Sequence, residues 1–90
     1  MRAVSKKRAA QLRRYARQRA LFLEAWPRCQ YPEGCDQRAT EVHHMRGRVG
    51  DLLCDEAWWM AICRTHHAYV TEHPAEAYEI GASYRRVGAA

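Results

Sequence analysis

Trp58-Trp-Met-Ala-Ile-Cys-Arg-Thr-His-His67 is the stretch on which the reading of this chain turns. From Ala57 to Cys63 the run is apolar enough for a buried strand or for the entry to a helix, and periodicity does not choose between them. After Cys63, the residues from about Thr65 to Glu72 read as a short helix. Cys63-x2-His66 then stands at the mouth of that helix. Tetrahedral zinc takes sulfur and nitrogen ligands as two closely spaced pairs, one from a knuckle loop and one from a turn entering a helix. The second pair lies upstream in Cys29-Gln-Tyr-Pro-Glu-Gly-Cys35, where Pro32 and Gly34 supply a tight turn that can aim two thiolates at one point. Cys29, Cys35, Cys63 and His66 are therefore the expected ligands of a structural zinc. Cys54 falls outside both pairs, beside Leu52 and Leu53, and reads as a small buried hydrophobe.

A staple is what a chain of this size needs. With 90 residues it forms one domain at most and buries only about two-thirds of its unfolded surface. Disulfides and a metal are the usual remedies. The basic opening from Met1 to Arg8 runs into further arginines, and the apolar patch Leu21-Phe22-Leu23 is too short for a secretory signal. A cytoplasmic address is expected on that reading, with reduced thiols, which favours the metal. No stretch approaches the length of a membrane span.

The charge is uneven. Of 15 Lys and Arg and 10 Asp and Glu, residues 1–28 hold nine basic side chains against Glu24 alone, and residues 29–90 hold six against nine acids. From about Ser5 to Trp26 there is no proline or glycine, and Leu12, Tyr15, Ala16, Phe22, Leu23 and Trp26 recur at helical intervals. This predicts a basic amphipathic helix that Pro27 stops. Its apolar second half should dock while the first half, loaded with Lys6, Lys7, Arg8, Arg13, Arg14 and Arg17, stays exposed as an arm for a polyanion. The expected division is a basic helical arm over residues 1–26 and a zinc-stapled unit over residues 27–90, together one structural domain.

Within the second unit, Ala39 to Met45 alternates loosely and predicts a short strand. Arg46-Gly-Arg-Val-Gly50 is a glycine-bracketed basic loop in which Arg46 and Arg48 are candidate phosphate contacts. Pro74 opens a last segment, Ala75 to Tyr84, expected to be helical and to end near Gly88. Two histidine doublets remain, His43-His44 and His66-His67. Neighbours on a strand point to opposite faces, and neighbours on a helix diverge by about 100°. Neither doublet can serve one purpose. If His66 completes the zinc site, His67 turns elsewhere and can face a histidine of the strand, where imidazoles suit a second divalent ion or proton transfer.

Taken together, Cys-x5-Cys, Ala39-Thr-Glu-Val-His-His44, the Arg46-Gly-Arg48 loop, Trp59-Met-Ala-Ile-Cys-x2-His-His67 and the closing His73-Pro-Ala-Glu-Ala-Tyr78 resemble the HNH endonucleases of the ββα-metal fold, in particular the small forms encoded by bacteriophages and prophages. The resemblance spans about Phe22 to Ile80. It implies an α+β domain, a small ββα-metal unit stapled by zinc, and a metal-dependent DNA endonuclease. His44 would be the general base, His43 and His67 would hold the catalytic divalent ion (Mg²⁺, Mn²⁺ or Ni²⁺), and the zinc set maps to Cys29, Cys35, Cys63 and His66. DNA is the implied partner, alongside DNA-processing proteins of phage or host. Two positions depart from the pattern: Trp58 stands where the family carries its asparagine, and Thr71 where many relatives have another histidine. The other reading of these residues is a non-catalytic zinc knuckle that binds nucleic acid or protein.

Overall fold

A computed structural model describes residues 4–85. The predicted end near Gly88 and the first three residues, Arg2 among them, lie outside the described residues.

The chain opens with α1, Lys6–Ala25. Ser5 caps it by accepting the Arg8 backbone N–H at 3.0 Å, which satisfies one of the free donors of a first turn. It ends ahead of Pro27, as the proline demands. Two short strands follow, β1 (Glu41–His44) and β2 (Trp59–Ile62), paired antiparallel with Val42 opposite Ala61 and His44 opposite Trp59. Between them lie two 3-10 turns, Gly50–Cys54 and Glu56–Trp58. The sequence predicted a loop only over Arg46 to Gly50 and counted Ala57 and Trp58 with the apolar run, because such short turns carry no period. Then come α2 (Arg64–Glu72) and α3 (Pro74–Glu79). The architecture is α+β, with a two-stranded antiparallel sheet flanked by helices.

The alternation along β1 explains how the layers form. Val42 and His44 are buried on one face, and Glu41 and His43 are half-buried on the other. All four residues of β2 are buried, so both faces of that strand are covered. One core joins Phe22 of α1 to Ala39, Val42, Trp59 and Ala61, with Tyr15 and Leu23 packed against it. The other joins Met60 and Ile62 to Cys29, Tyr31, Cys63, Val70, Ala77 and Ala82. The hairpin thus lies between α1 on one side and α2, α3 and the cysteine loop on the other. An apolar run without alternation is what a strand covered on both faces requires, and within Ala57 to Cys63 it is Trp59–Ile62 that forms one, after a 3-10 turn through Ala57 and Trp58 and before Cys63 caps α2.

Two local differences from the sequence reading have clear causes. α3 stops at Glu79 instead of continuing to Tyr84, because Gly81 takes a left-handed φ of 79° and Ala82 folds back to donate to the Ala77 carbonyl at 2.8 Å. The segment after it then runs along the end of β1, where Tyr84 N–H donates to the Met45 carbonyl at 2.7 Å. α1 also meets the rest of the domain along its first half. Cys54 Sγ donates to the Gln11 carbonyl at 3.4 Å, Gln11 reaches Asp51 at 3.4 Å, and Arg8 donates to the Arg48 carbonyl at 3.4 Å. Polar contacts to the 3-10 turn do there what apolar residues do further along, so hydrophobic patterning gave no sign of them.

Candidate functional site

Cys29, Cys35, Cys63 and His66 converge. Their ligand atoms all lie within 4.8 Å of one another, and all four cysteines of the chain are free thiols. His66 Nδ1 lies 3.3 Å from Cys63 Sγ and 3.8 Å from Cys29 Sγ. Metal bonds of 2.0–2.3 Å at tetrahedral angles imply sulfur–nitrogen edges of roughly 3.6 Å, and the two measured separations bracket that figure. Backbone helps to aim the sulfurs. Cys63 caps α2 and accepts the His66 N–H at 3.4 Å, while Cys35 accepts the Gln37 N–H at 3.4 Å. Tyr31 stacks flat on the His66 ring with centroids 4.0 Å apart, fixing its plane. Burial pushes the Cys29 thiol up to about 11. A thiolate there needs a cation beside it, and a four-ligand sulfur and nitrogen set of this size is compatible with a structural zinc.

A second group lies next to this one. Glu41 and His43 share a face of β1, and that face looks toward α2, where His66 and His67 diverge as helical neighbours must. The His43 and His67 rings meet edge to face with centroids 5.4 Å apart. Each ring has its tautomer set by its partner. His67 Nδ1 lies 2.7 Å from a Glu41 carboxylate oxygen, which only accepts, so Nδ1 carries a proton and Nε2 is the nitrogen left to face a ligand. His43 Nε2 donates to the Ala82 carbonyl at 2.9 Å, which leaves Nδ1 as its lone-pair nitrogen. Burial, and after it the proximity of His67, holds His43 below the ordinary histidine range. Two neighbouring imidazoles, one backed by a carboxylate, have the chemistry of divalent-metal ligands.

His44 is set apart from that pair. It faces the opposite side of the hairpin, 9% exposed, with its ring against Tyr15 at 5.3 Å and Trp59 at 5.6 Å. Its Nε2 donates to the Leu53 carbonyl at 3.0 Å, so its lone pair also sits on Nδ1. Burial is the main cause of a pKa lowered to about 4, and the nearby Arg48 cation adds to it. The imidazole is neutral at physiological pH. His44 also lines a surface cleft of about 350 Å³ with Arg46, Tyr78, Ser83, Tyr84 and Arg85.

The candidate nucleic-acid contacts divide by position. Lys6, Lys7, Arg13, Arg14 and Arg17 are exposed on α1; Lys6, Arg13 and Arg17 point away from the side that carries Gln11, Tyr15, Gln18 and Phe22 to the hairpin, while Lys7 and Arg14 border clefts between α1 and the first 3-10 turn. Because α1 covers the Val42 and His44 face, these cations lie on the far side of the sheet from His43 and His67. Arg8 is half-buried and engaged with Gln11 and Arg48. Arg48 rests over the Tyr15 ring at 5.3 Å, and Arg46 covers Trp58 at 4.5 Å.

Sequence reasoning did not single out Glu41, the Leu53 carbonyl or the Ala82 carbonyl, each of which fixes a histidine tautomer. Glu41 was within reach, since it lies two residues before His43 and a strand puts such residues on one face. The two carbonyls carry no side-chain signal. Thr71 donates its hydroxyl to the His67 carbonyl at 2.9 Å, one helical turn back. Comparison of the chain with family models, with characterised proteins and with solved structures finds no match.

Proposed function

We propose that this chain is a zinc-stapled HNH-type DNA endonuclease. The observation that carries the reading is the pairing of His43 with His67 across the gap between β1 and α2, with Glu41 behind His67 and the Cys3His cluster pinning the start of the same helix. A divalent ion on those two imidazoles would neutralise charge developing on the phosphate and the leaving oxygen. His44, with its lone pair on Nδ1, would take the proton of the attacking water. The burial that keeps it neutral also makes it a weak base, and a phosphodiester anion drawn in beside it would favour the imidazolium formed on proton transfer. Arg46 and Arg48 would hold neighbouring phosphates, and the exposed cations of α1 would add salt-sensitive affinity along the backbone. By the resemblance, the products carry a 5′-phosphate and a 3′-hydroxyl. The test is nicking of supercoiled plasmid with Mg²⁺, Mn²⁺ or Ni²⁺ by the zinc-loaded protein. Activity absent from His44→Ala supports the assignment, and no nicking above that control with any ion removes it.

A non-catalytic zinc module that binds nucleic acid is the second reading. Trp58 and Thr71 favour it, because one is covered by an arginine and the other is tied to the helix backbone, so neither offers a ligand. Metal content separates the two readings: one zinc per chain with no second ion, and salt-sensitive DNA binding without cleavage, selects the module.

A further inference from the structure

We propose that the cleft beside His44 is a stacking subsite for an unpaired nucleotide, so that DNA with unstacked or single-stranded residues next to the scissile phosphate is the preferred substrate. This rests on the nuclease reading for its place in catalysis, though not for its binding.

The cleft is built by the segment that follows α3. Gly81 turns that segment back, and it is then laced to the end of β1 at three points. His43 Nε2 donates to the Ala82 carbonyl at 2.9 Å, Tyr84 N–H to the Met45 carbonyl at 2.7 Å, and Arg46 Nε to the Arg85 carbonyl at 2.8 Å. The resulting walls combine two kinds of chemistry. Tyr78 and Tyr84 are among the most exposed large aromatic residues described, at 53% and 45%, and both line this one cleft. Arg46 and Arg85 line it too, and among the described residues no carboxylate does. Tyr84 is braced edge-on by Trp58 at 5.5 Å, and Trp58 in turn carries the Arg46 guanidinium at 4.5 Å. Tyr84, Trp58 and the Arg46 guanidinium are therefore held in place relative to one another before anything binds.

Aromatic faces beside arginines, with no acid among them, match a base with its phosphate attached. A volume of about 350 Å³ falls at the small end of ligand pockets, which run from roughly 300 to 1,000 Å³. Base–aromatic stacking is sequence-tolerant because every base has a π-face. Paired bases in an intact duplex keep their faces against one another and cannot use such a surface without being extruded at a cost in stacking. The cleft therefore discriminates by strandedness more than by sequence. His44 is among the residues that line the cleft, beside Met45 and Arg46.

The experiment measures binding of full-length protein, zinc-loaded and without added second metal, to a fluorescent single-stranded oligonucleotide and to the same sequence as a duplex. Single strands are expected to bind more tightly. Tyr78→Ala and Tyr84→Leu should each weaken single-strand binding by about tenfold and leave duplex binding unchanged, while Tyr78→Phe and Tyr84→Phe should behave as wild type. Tyr84 braces against Trp58, so each variant is first shown to melt as wild type, and Tyr78, which is mostly solvated, provides the variant least able to disturb the fold. Equal loss on both forms of DNA, or wild-type affinity in the Tyr78→Ala and Tyr84→Leu proteins, overturns the inference. The nuclease reading fails separately: nicking lost with all ions leaves the stacking result intact, and nicking retained with indifferent tyrosine variants removes only the subsite.

Discussion

Loss of the Cys3His metal should unfold the domain, and the structure indicates why. The cluster ties the loop from Cys29 to Cys35 to the junction between β2 and α2. Without it, that loop is held to β2 by the packing of Tyr31 on Met60 and Ile62 and by Gln30, whose N–H donates to the Ala61 carbonyl at 2.7 Å and whose side chain accepts the Ala61 N–H at 2.8 Å. Each such bond contributes about 1 kcal/mol net. A structural zinc contributes on the order of 10 kcal/mol or more at neutral pH. Domains are stable by about 0.05–0.15 kcal/mol per residue, which for this length is roughly 5–13 kcal/mol in all. Metal loss therefore removes about as much free energy as the fold possesses. Cys63→Ser should show it most sharply, since Cys63 is at once a ligand, a buried side chain and the cap of α2. The readouts are zinc content and the cooperative thermal transition followed by circular dichroism. Cys63→Ser is expected to bind no zinc at stoichiometry and to show no transition. A protein that lacks zinc and melts like wild type would refute the reasoning. Cys54→Ser is the control, because Cys54 makes one weak bond to the Gln11 carbonyl, and its cost should stay near 1 kcal/mol.

Acid should weaken the fold through His44. Its folded pKa of about 4 lies below the ordinary 6.5, so the unfolded chain binds more protons, and the stability present above pH 6.5 is lost as pH falls toward 4. Discounted for water at the ring edge, the loss is about 2 kcal/mol, and denaturant titration of wild type against His44→Gln should show a shallower pH slope in the variant; equal slopes would exonerate His44. Replacing Lys6, Lys7, Arg13, Arg14 and Arg17 with glutamine should flatten the salt dependence of DNA binding and leave turnover at saturation unchanged, because these cations lie across the sheet from His43 and His67; an unaltered salt slope would show that this face does not meet phosphate. Thr71 is exposed one turn after His67, so Thr71→His should add a third imidazole near the pair. Calorimetric titration of Mn²⁺ or Ni²⁺ into the zinc-loaded proteins is expected to show tighter binding in the variant, Mg²⁺ gaining least as the ion least suited to imidazole, and equal affinities would mean that position 71 does not face the site.

What the sequence revealed and what it hid follow from the physics of each signal. The cysteine pairs were legible because metal ligands must be named side chains at fixed local spacing, and the two halves need only a turn each to meet. The strand holding His43 and His44 was legible through its alternation, and the division of that doublet between two faces followed from strand geometry. The helix over Arg64–Glu72 was legible to within a residue. The 3-10 turns were not, since they are set by tertiary contacts such as the complete burial of Leu53 and not by a repeat. The return of the chain after Gly81 was also hidden. A glycine at a helix end signals a stop, but nothing local states where the chain goes next, and here it goes to the edge of β1.

The Trp58 departure takes on a different weight once the loop is seen. On the nuclease reading, an asparagine amide at that position would orient His44 through a carbonyl. Here the loop is steadied by other means: Leu53 is wholly buried, the Met45 N–H donates to the Trp58 carbonyl at 2.8 Å, and Asp55 caps the second 3-10 turn by accepting the Ala57 N–H at 3.1 Å. The Leu53 carbonyl reaches His44 regardless of which side chain stands at position 58. That leaves the indole free for another task. It supports Arg46 on its face and Tyr84 at its edge, and so builds the wall of the cleft that opens beside His44. A position that departs from the resembled pattern in the sequence is, in the fold, part of a loop held by backbone and burial, with its indole added as an aromatic brace to the wall of the cleft.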